Sequence, residues 1–289
     1  MRWFCVLNLH YRVRQFSRFV HFPASCTLFH AGQLCAAMRP FVIISLLTLC
    51  LWGPPQTAQA DDPPLLFAAA SLRGVLEAVF ADPATAPTIS YGGSATLARQ
   101  VAQGAPADAV LLANPDWVDW LGNQGATLPG SARDIIGNSL VVIGPPDAPM
   151  LSTTEANTLA SQMQPQDRLA LGQHQSVPAG IYAAAWLRAS GQWDTLSQRL
   201  AETENVRLAL ALVSRRETPL GIVYRSDAVA EPRVAKVYDI PPEAHPPIRY
   251  RFAAMTPQGA DLAPLLQGAT AQQLFVTAGF AALAEGASQ

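Results

Sequence analysis

Short apolar runs alternate with segments of helical periodicity through most of the chain. The run from Leu65 to Ala70 is continuously apolar, as expected of a buried parallel strand. After Ser71, apolar residues recur at spacings of three and four, at Leu72, Val75, Leu76, Val79 and Phe80. This spacing places them on one face of a helix, and we expect Ser71 to cap that helix. The two patterns together predict a strand followed by an amphipathic helix.

The same plan recurs to the end of the chain. Further strands are predicted at 88–91, 109–112, 139–143, 169–172 and 220–224, and at the alternating residues Ile248, Tyr250 and Phe252. Helices are predicted to begin at Ser94, after Asn114, at Pro178 and near Thr203 to Asn205, with two more at 259–267 and 269–280. Such alternation indicates an α/β protein with largely parallel sheets. The part of the chain after residue 60 fits two lobes better than one.

The first sixty residues differ from the rest in charge and in cysteine content. They contain five Arg, no Asp or Glu, and all four cysteines. The rest of the chain has 14 Lys and Arg against 21 Asp and Glu, a net charge of −7. A body without cysteine excludes a disulfide scaffold, a Cys-ligated metal site and a Cys nucleophile. Its negative charge argues against nucleic acid as a partner.

Residues 38–60 have the pattern of a secretory signal peptide. A positively charged start precedes the apolar run Phe41 to Trp52, and Ala58-Gln59-Ala60 is a small-x-small cleavage pattern. We therefore expect cleavage after Ala60 and a periplasmic mature protein. The apolar run is short for a bilayer span, although a retained membrane anchor is the alternative. Residues 1–37 are then a gene-model extension or a long positively charged leader.

Small or hydroxyl residues stand at several predicted helix starts. Ser71 and Ser94 each follow a strand, while Val177 to Gly180 and Asn205-Val206 open two other helices. Helix N-termini expose unpaired N–H groups and favour anions. In open α/β sheets, ligands bind beyond the carboxyl ends of strands, where such helices begin. Each start taken alone is more simply explained as an ordinary helix cap.

Enzyme chemistry has less support in the sequence. Neither Ser71 nor Ser94 lies in a G-x-S-x-G motif, and a catalytic triad would have to recruit His174 or His245. These are the only histidines after residue 60, and both stand among loop-forming residues. Two histidines with scattered carboxylates make a weak case for a metal site. A secreted serine hydrolase that uses Ser94 stays open as an alternative.

Six segments of the chain, taken together and in order, resemble the sequences of one protein family. They read FAAASL at 67–72, GSATLARQ at 93–100, GAPAD at 104–108, GNSLVV at 137–142, VPAGIY at 177–182 and LGIVYRSD at 220–227. In this order they resemble the periplasmic molybdate-binding proteins of molybdate ABC transporters. The resemblance implies a type II periplasmic binding protein fold, with two α/β lobes and a two-stranded hinge around an anion cleft. It places lobe 1 at 61–138 with a return segment at 247–289, and lobe 2 at 139–246.

The resemblance also implies the residues that hold the anion. Ser71 and Ser94 would donate through hydroxyl and backbone N–H, Ala179 and Val206 through backbone N–H, and Tyr224 through its hydroxyl. Molybdate is a fully deprotonated dianion near neutral pH, so a site made only of donors suits it. A rigid ring of donors would select against the smaller sulfate, and the proton of phosphate would find no acceptor.

The function implied is that of a solute-binding protein rather than an enzyme. It would capture molybdate, and also tungstate, with the molybdenum held only within the oxyanion and with no cofactor. Closure about the hinge would precede delivery to the transmembrane permease of an ABC transporter. We expect a monomer. A binding protein for sulfate or another oxyanion is the alternative within the same class.

Overall fold

The computed structural model describes residues 62–283. The expected signal peptide at 38–60, the extension at 1–37 and the last residues of the return segment lie outside the described residues. Within residues 62–283, ten strands form two five-stranded sheets. The strands are β1 (Leu65–Ala69), β2 (Thr88–Gly92), β3 (Ala109–Leu112), β4 (Arg133–Gly137), β5 (Leu140–Gly144), β6 (Leu169–Gly172), β7 (Leu200–Thr203), β8 (Leu220–Tyr224), β9 (Ala235–Asp239) and β10 (Arg249–Ala254).

Helices connect most of these strands. The α-helices span Arg73–Val79, Ser94–Ala102, Pro115–Asn123, Thr153–Ala156, Pro178–Ala189, Trp193–Leu196, Val206–Ser214, Arg225–Ala230, Pro257–Ala260, Leu262–Gln267 and Ala269–Thr277. Short 3-10 helices span Ala70–Leu72, Leu159–Gln162, Ser197–Arg199 and Pro242–Ala244. Over the described range, no helix is both long enough and apolar enough to cross a lipid bilayer.

Each sheet is mixed: four of its five strands run in one direction, and one strand, β10 or β5, runs against them. The prediction of largely parallel sheets therefore holds for four of the five strands in each sheet. The first sheet has the order β2-β1-β3-β10-β4, with β10 antiparallel to β3 and to β4. The second has the order β7-β6-β8-β5-β9, with β5 antiparallel to β8 and to β9. Both β5 and β10 are the first strands after the chain passes from one sheet to the other. A strand that follows a parallel neighbour in the same sheet needs a crossover connection, usually a helix. Because β5 and β10 are reached from the other sheet, this constraint does not apply to them.

The chain passes between the sheets twice. It leaves β4 through Asn138 and Ser139 to begin β5, and it returns from β9 to β10 through residues 240–248. We call the part built on the first sheet lobe 1 and the part built on the second sheet lobe 2. Two short passages of this kind are compatible with a hinge. The exact lobe boundaries at 138 and 246 stay predictions.

Three strands escape sequence-based prediction, namely β4, β7 and β9. All three lie at the edge of a sheet, so one side of each strand faces no neighbouring strand. Their sequences are correspondingly short of apolar residues, as in Leu-Ala-Glu-Thr for β7. The predicted helix start near Thr203 to Asn205 is confirmed, although Thr203 itself is the last residue of β7. The helix begins at Val206, after the cap residue Asn205.

The prediction that Ser71 caps the first helix is wrong. Ser71 lies inside the 3-10 helix Ala70–Leu72, and the helix Arg73–Val79 begins without a side-chain cap. The Ser71 hydroxyl is engaged elsewhere, 2.8 Å from the hydroxyl of Tyr250. The Ser71 hydroxyl is thus directed toward another strand and makes no cap bond to the backbone N–H groups of the helix that follows.

Candidate functional site

A cavity of about 230 Å³ lies where the carboxyl ends of parallel strands from both sheets meet. Lobe 1 supplies the segments that follow β1, β2 and β3, and lobe 2 supplies those that follow β6, β7 and β8. The walls include all five residues predicted to bind the anion, which are Ser71, Ser94, Ala179, Val206 and Tyr224. The structure therefore brings these residues together, although their roles as ligands stay a prediction.

The walls of this cavity carry no charged side chain and only a few polar ones, which are Ser71, Ser94, Asn205 and Tyr224. None of the described residues that line it is Asp, Glu, Lys, Arg or His. The cavity is narrow and partly open to solvent, so it suits a small ligand. Across residues 62–283, no group of three or more His, Cys, Asp or Glu side chains could hold a metal ion.

Ser94 is placed with its hydroxyl hydrogen free. It is the first residue of the helix Ser94–Ala102 and is buried. Its Oγ accepts a hydrogen bond of 3.1 Å from the backbone N–H of Ala113. A hydroxyl has one hydrogen to donate and can accept at its oxygen, so the bond from Ala113 leaves the hydrogen available to a ligand.

Ser71 is oriented by a chain of hydrogen bonds that starts at Asn138. The Asn138 Oδ1 accepts from the Ser139 N–H at 2.9 Å, which fixes the orientation of the side-chain amide. Its Nδ2 then donates to the Tyr250 hydroxyl at 3.2 Å and to the Ser226 Oγ at 2.9 Å. Either hydroxyl could donate in the bond between Tyr250 and Ser71. The direction from Tyr250 to the Ser71 Oγ gives the buried Tyr250 hydrogen its acceptor and leaves no buried donor unsatisfied. The Ser71 hydrogen is then left for the cavity.

Tyr224 contributes a hydroxyl that lacks a protein partner. The residue ends β8 and is 1% exposed, and its hydroxyl makes no hydrogen bond to any described residue. Burial raises the pKa of this hydroxyl well above its ordinary value of 10.0. The group therefore stays protonated and keeps its donor. A buried hydroxyl without a partner is unfavourable, and a ligand that accepts its hydrogen would relieve that penalty.

Ala179 and Val206 present backbone N–H groups at two helix starts. Ala179 is the second residue of the helix Pro178–Ala189, and its N–H is the first in that helix because Pro178 has none. Val206 is the first residue of its helix, and the Asn205 side chain caps Leu208 instead. The first N–H groups of a helix lack intrahelical acceptors, and the partial positive charge of the helix end favours an anion.

The serine hydrolase alternative lacks its general base in the described part of the chain. The Nδ1 of His174 lies 2.5 Å from Glu202 Oε1, and the Nδ1 of His245 lies 2.8 Å from the carbonyl of Pro246. Neither histidine is hydrogen-bonded to Ser94, whose partner is Ala113. The site can bind an anion by donating hydrogen bonds to it, but no neighbouring base among the described residues activates Ser94 as a nucleophile.

Residues 64–281 match the family of bacterial extracellular solute-binding proteins. The chain belongs to this family. It is similar to the molybdate-binding protein ModA of Escherichia coli strain K12, with 38% identity over 74% of this chain and 87% of that protein. ModA of Haemophilus influenzae is 34% identical over 75% of this chain and 89% of that protein.

The fold of this solute-binding protein is shared with solved structures. The periplasmic molybdate-binding protein of Azotobacter vinelandii superposes with a TM-score of 0.68, over 76% of this chain and 100% of that one, at 21% identity. The predicted two-lobed type II periplasmic binding protein fold is confirmed. Sequence reasoning missed Asn138 and Tyr250 as site-supporting residues. Tyr250 was recognisable only as a strand residue, since its partner Ser71 is 179 positions away.

Proposed function

We propose that this solute-binding protein captures molybdate, and also tungstate, and delivers it to the transmembrane permease of an ABC transporter. The observation that carries the proposal is the uncharged wall of the cavity, which offers hydroxyls and helix N–H groups but no carboxylate. The two ModA relatives, at 38% and 34% identity, are molybdate-binding proteins and support the same ligand for this chain.

The chemistry of the wall favours an anion without a proton. Molybdate near neutral pH accepts hydrogen bonds and donates none, so Ser71, Ser94, Ala179, Val206 and Tyr224 can all serve it at once. Hydrogen bonds to a charged acceptor are stronger than neutral ones, and several helix ends offset the charge without a cation in the wall. Molybdenum is held only within the oxyanion, and the protein needs no cofactor.

The two lobes divide the donors between them. Ser71 and Ser94 belong to lobe 1, whereas Ala179, Val206 and Tyr224 belong to lobe 2. An anion that bonds to both sets holds the lobes together, which links capture to closure about the two passages between the sheets. The closed, loaded protein is then the form that the permease receives.

The proposal also covers the location of the protein, its lack of catalysis and its partners. The signal pattern at 38–60 supports export to the periplasm, where a permease can be loaded from outside the membrane. The engagement of the Ser94 oxygen by Ala113 rather than by a histidine supports binding without catalysis. We propose that the protein acts as a monomer and that nucleic acid is not a partner.

A binder of sulfate or another oxyanion is the second candidate, because the same donors would serve any small anion. Calorimetric titration of the mature chain from Asp61 with molybdate, tungstate, sulfate and phosphate separates the two. Tight binding of molybdate and tungstate with weak binding of sulfate supports the proposal. Equal or tighter binding of sulfate would overturn it in favour of the alternative.

A further inference from the structure

Arg207 joins the two lobes beside the cavity. It follows Val206 in the helix Val206–Ser214 of lobe 2, and its Nη2 donates a hydrogen bond of 3.3 Å to the carbonyl of Ser71 in lobe 1. Its guanidinium does not line the cavity. One side chain therefore connects two residues, Val206 and Ser71, that are proposed to bind the anion from opposite lobes.

Asp227 holds the Arg207 guanidinium in its orientation toward Ser71. Its carboxylate is 0% exposed, and Arg207 Nε lies 2.8 Å from its Oδ1. The two form an ion pair by distance, although the N–H is not directed at the oxygen, and neither carboxylate oxygen has a hydrogen-bond donor among the described residues. A buried carboxylate without a counter-charge is strongly unfavourable. Asp227 belongs to lobe 2 like Arg207, so this pair does not depend on closure.

The bond to Ser71, in contrast, depends on closure. The Ser71 carbonyl and Arg207 lie on opposite lobes, so opening the cleft separates them. Inside lobe 1, Tyr250 already fixes the Ser71 hydroxyl at 2.8 Å. Arg207 adds a contact to the carbonyl of the same residue, and this contact is available only when the lobes meet.

We propose that Arg207 is a positioning residue for anion capture, which fastens Ser71 of lobe 1 to lobe 2 in the closed state without touching the anion. The inference rests on the proposed function, because the bond between Arg207 and Ser71 is proposed to slow release of the anion from the same site. Asp227 keeps the guanidinium extended toward lobe 1 before closure, so that little side-chain freedom is lost when the bond forms.

The first test compares Arg207→Met with Arg215→Met. Methionine keeps most of the aliphatic stem but removes the hydrogen bond to Ser71. Arg215 follows the same helix, is largely exposed and has only a long contact of 3.9 Å with Glu217, so its loss changes the charge equally without affecting closure. Release of radiolabelled molybdate into unlabelled excess should be about tenfold faster in Arg207→Met, since hydrogen bonds of charged groups contribute at this level. Arg215→Met should release at the wild-type rate.

A second variant separates positioning from folding. Arg207→Met leaves Asp227 buried without its partner, and this alone destabilises the protein. The double variant Arg207→Met/Asp227→Asn removes both charges, so its melting temperature should recover. If Arg207 served only the fold, the release rate would recover together with the melting temperature, and the proposal would be overturned. We expect fast release to persist in the double variant.

The wild-type protein distinguishes failure of this inference from failure of the proposed function. If wild-type protein does not bind molybdate but binds sulfate, the proposed function is wrong, and the same variants are then measured with radiolabelled sulfate. If wild-type protein binds molybdate and Arg207→Met releases it at the wild-type rate, only the role of Arg207 is wrong.

Discussion

The indole Nε1 of Trp117 donates a hydrogen bond of 3.1 Å to the carbonyl of Ser176, and this bond crosses from lobe 1 to lobe 2. Trp117 lies in the helix Pro115–Asn123, with the Arg99 guanidinium 5.1 Å from its ring centre. Ser176 lies just before the helix Pro178–Ala189, whose Ala179 amide is proposed to bind the anion. Trp117 is therefore placed to respond when the lobes close.

The first prediction uses this bond as a reporter. Molybdate should change the tryptophan emission of the wild-type protein, because the bond from the Trp117 indole to Ser176 joins the two lobes and forms only where they meet. Trp117→Phe should lose most of this change and bind molybdate about two- to tenfold more weakly, as expected for one neutral hydrogen bond. Trp193→Phe is the control, since Trp193 packs beside Arg188 in lobe 2. A full emission change in Trp117→Phe would contradict the assignment.

The second prediction concerns the hydroxyl of Tyr224. Tyr224→Phe keeps the ring and removes a donor, so molybdate affinity measured by calorimetry should fall about ten- to a hundredfold. The melting temperature of the anion-free protein should not fall, because this hydroxyl has no partner among the described residues. Unchanged affinity in a folded Tyr224→Phe protein would remove Tyr224 from the site.

Tyr250→Phe is the matched comparison for Tyr224→Phe. The hydroxyl of Tyr250 is also buried, but it bonds to Ser71 and Asn138. Its removal should lower the melting temperature of the anion-free protein, because two buried polar groups lose a partner, at about 1–3 kcal/mol. Tyr224→Phe should thus lower the affinity alone, whereas Tyr250→Phe should lower the stability of the empty protein and, because Tyr250 orients Ser71, the affinity as well.

The third prediction concerns the backbone N–H of Val206. Proline is well tolerated at the first position of a helix, and the extended backbone of Asn205 is compatible with a following proline. Val206→Pro should therefore fold but bind molybdate about tenfold or more weakly, because it lacks the N–H. Val206→Ala keeps the N–H and should bind almost as the wild type does. Circular dichroism checks folding, and similar affinities of the two variants would exclude the amide as a ligand.

The fourth prediction is a pH dependence caused by Asp227. Burial raises the pKa of this carboxyl from its ordinary 3.8 to about 6, although Arg207 opposes the rise. The folded protein therefore holds the proton more tightly than the unfolded chain does. The associated stability is complete below about pH 4 and is lost as the pH rises through 6, a difference of about 3 kcal/mol.

Asp227→Asn tests this dependence because the asparagine side chain does not ionise. The melting temperature of the variant relative to wild type should rise between about pH 4 and pH 8, since only the wild type then buries a charge. Anion-free protein is used at every pH, so that ligand binding does not contribute. A difference in melting temperature that does not change with pH would show that Asp227 has an ordinary pKa.

The sequence predicts the interior of this fold better than its edges. The apolar runs of β3 and β8 are buried over their whole length, and the pattern alone predicts both. The edge strands β4, β7 and β9 are more polar, so their sequences resemble loops. The local pattern predicts a helix cap at Ser71 because the residue that it bonds to, Tyr250, is distant in the sequence.

The candidate site divides in the same way between what the sequence predicts and what it does not. Predicted helix starts mark Ser71, Ser94, Ala179 and Val206 as anion-binding candidates, and the family resemblance adds Tyr224. The link from Arg207 to Ser71 spans 136 positions and depends on how the lobes meet. No periodicity or local motif encodes such a contact, so only the three-dimensional structure reveals it.

A crystal structure of the mature protein grown with molybdate tests the central claim most directly. We expect one anomalous molybdenum peak in the cavity, with its oxygens within hydrogen-bond distance of the hydroxyls of Ser71, Ser94 and Tyr224 and of the amides of Ala179 and Val206. An empty cavity at saturating molybdate, or a molybdenum peak bound elsewhere on the protein, would contradict the account.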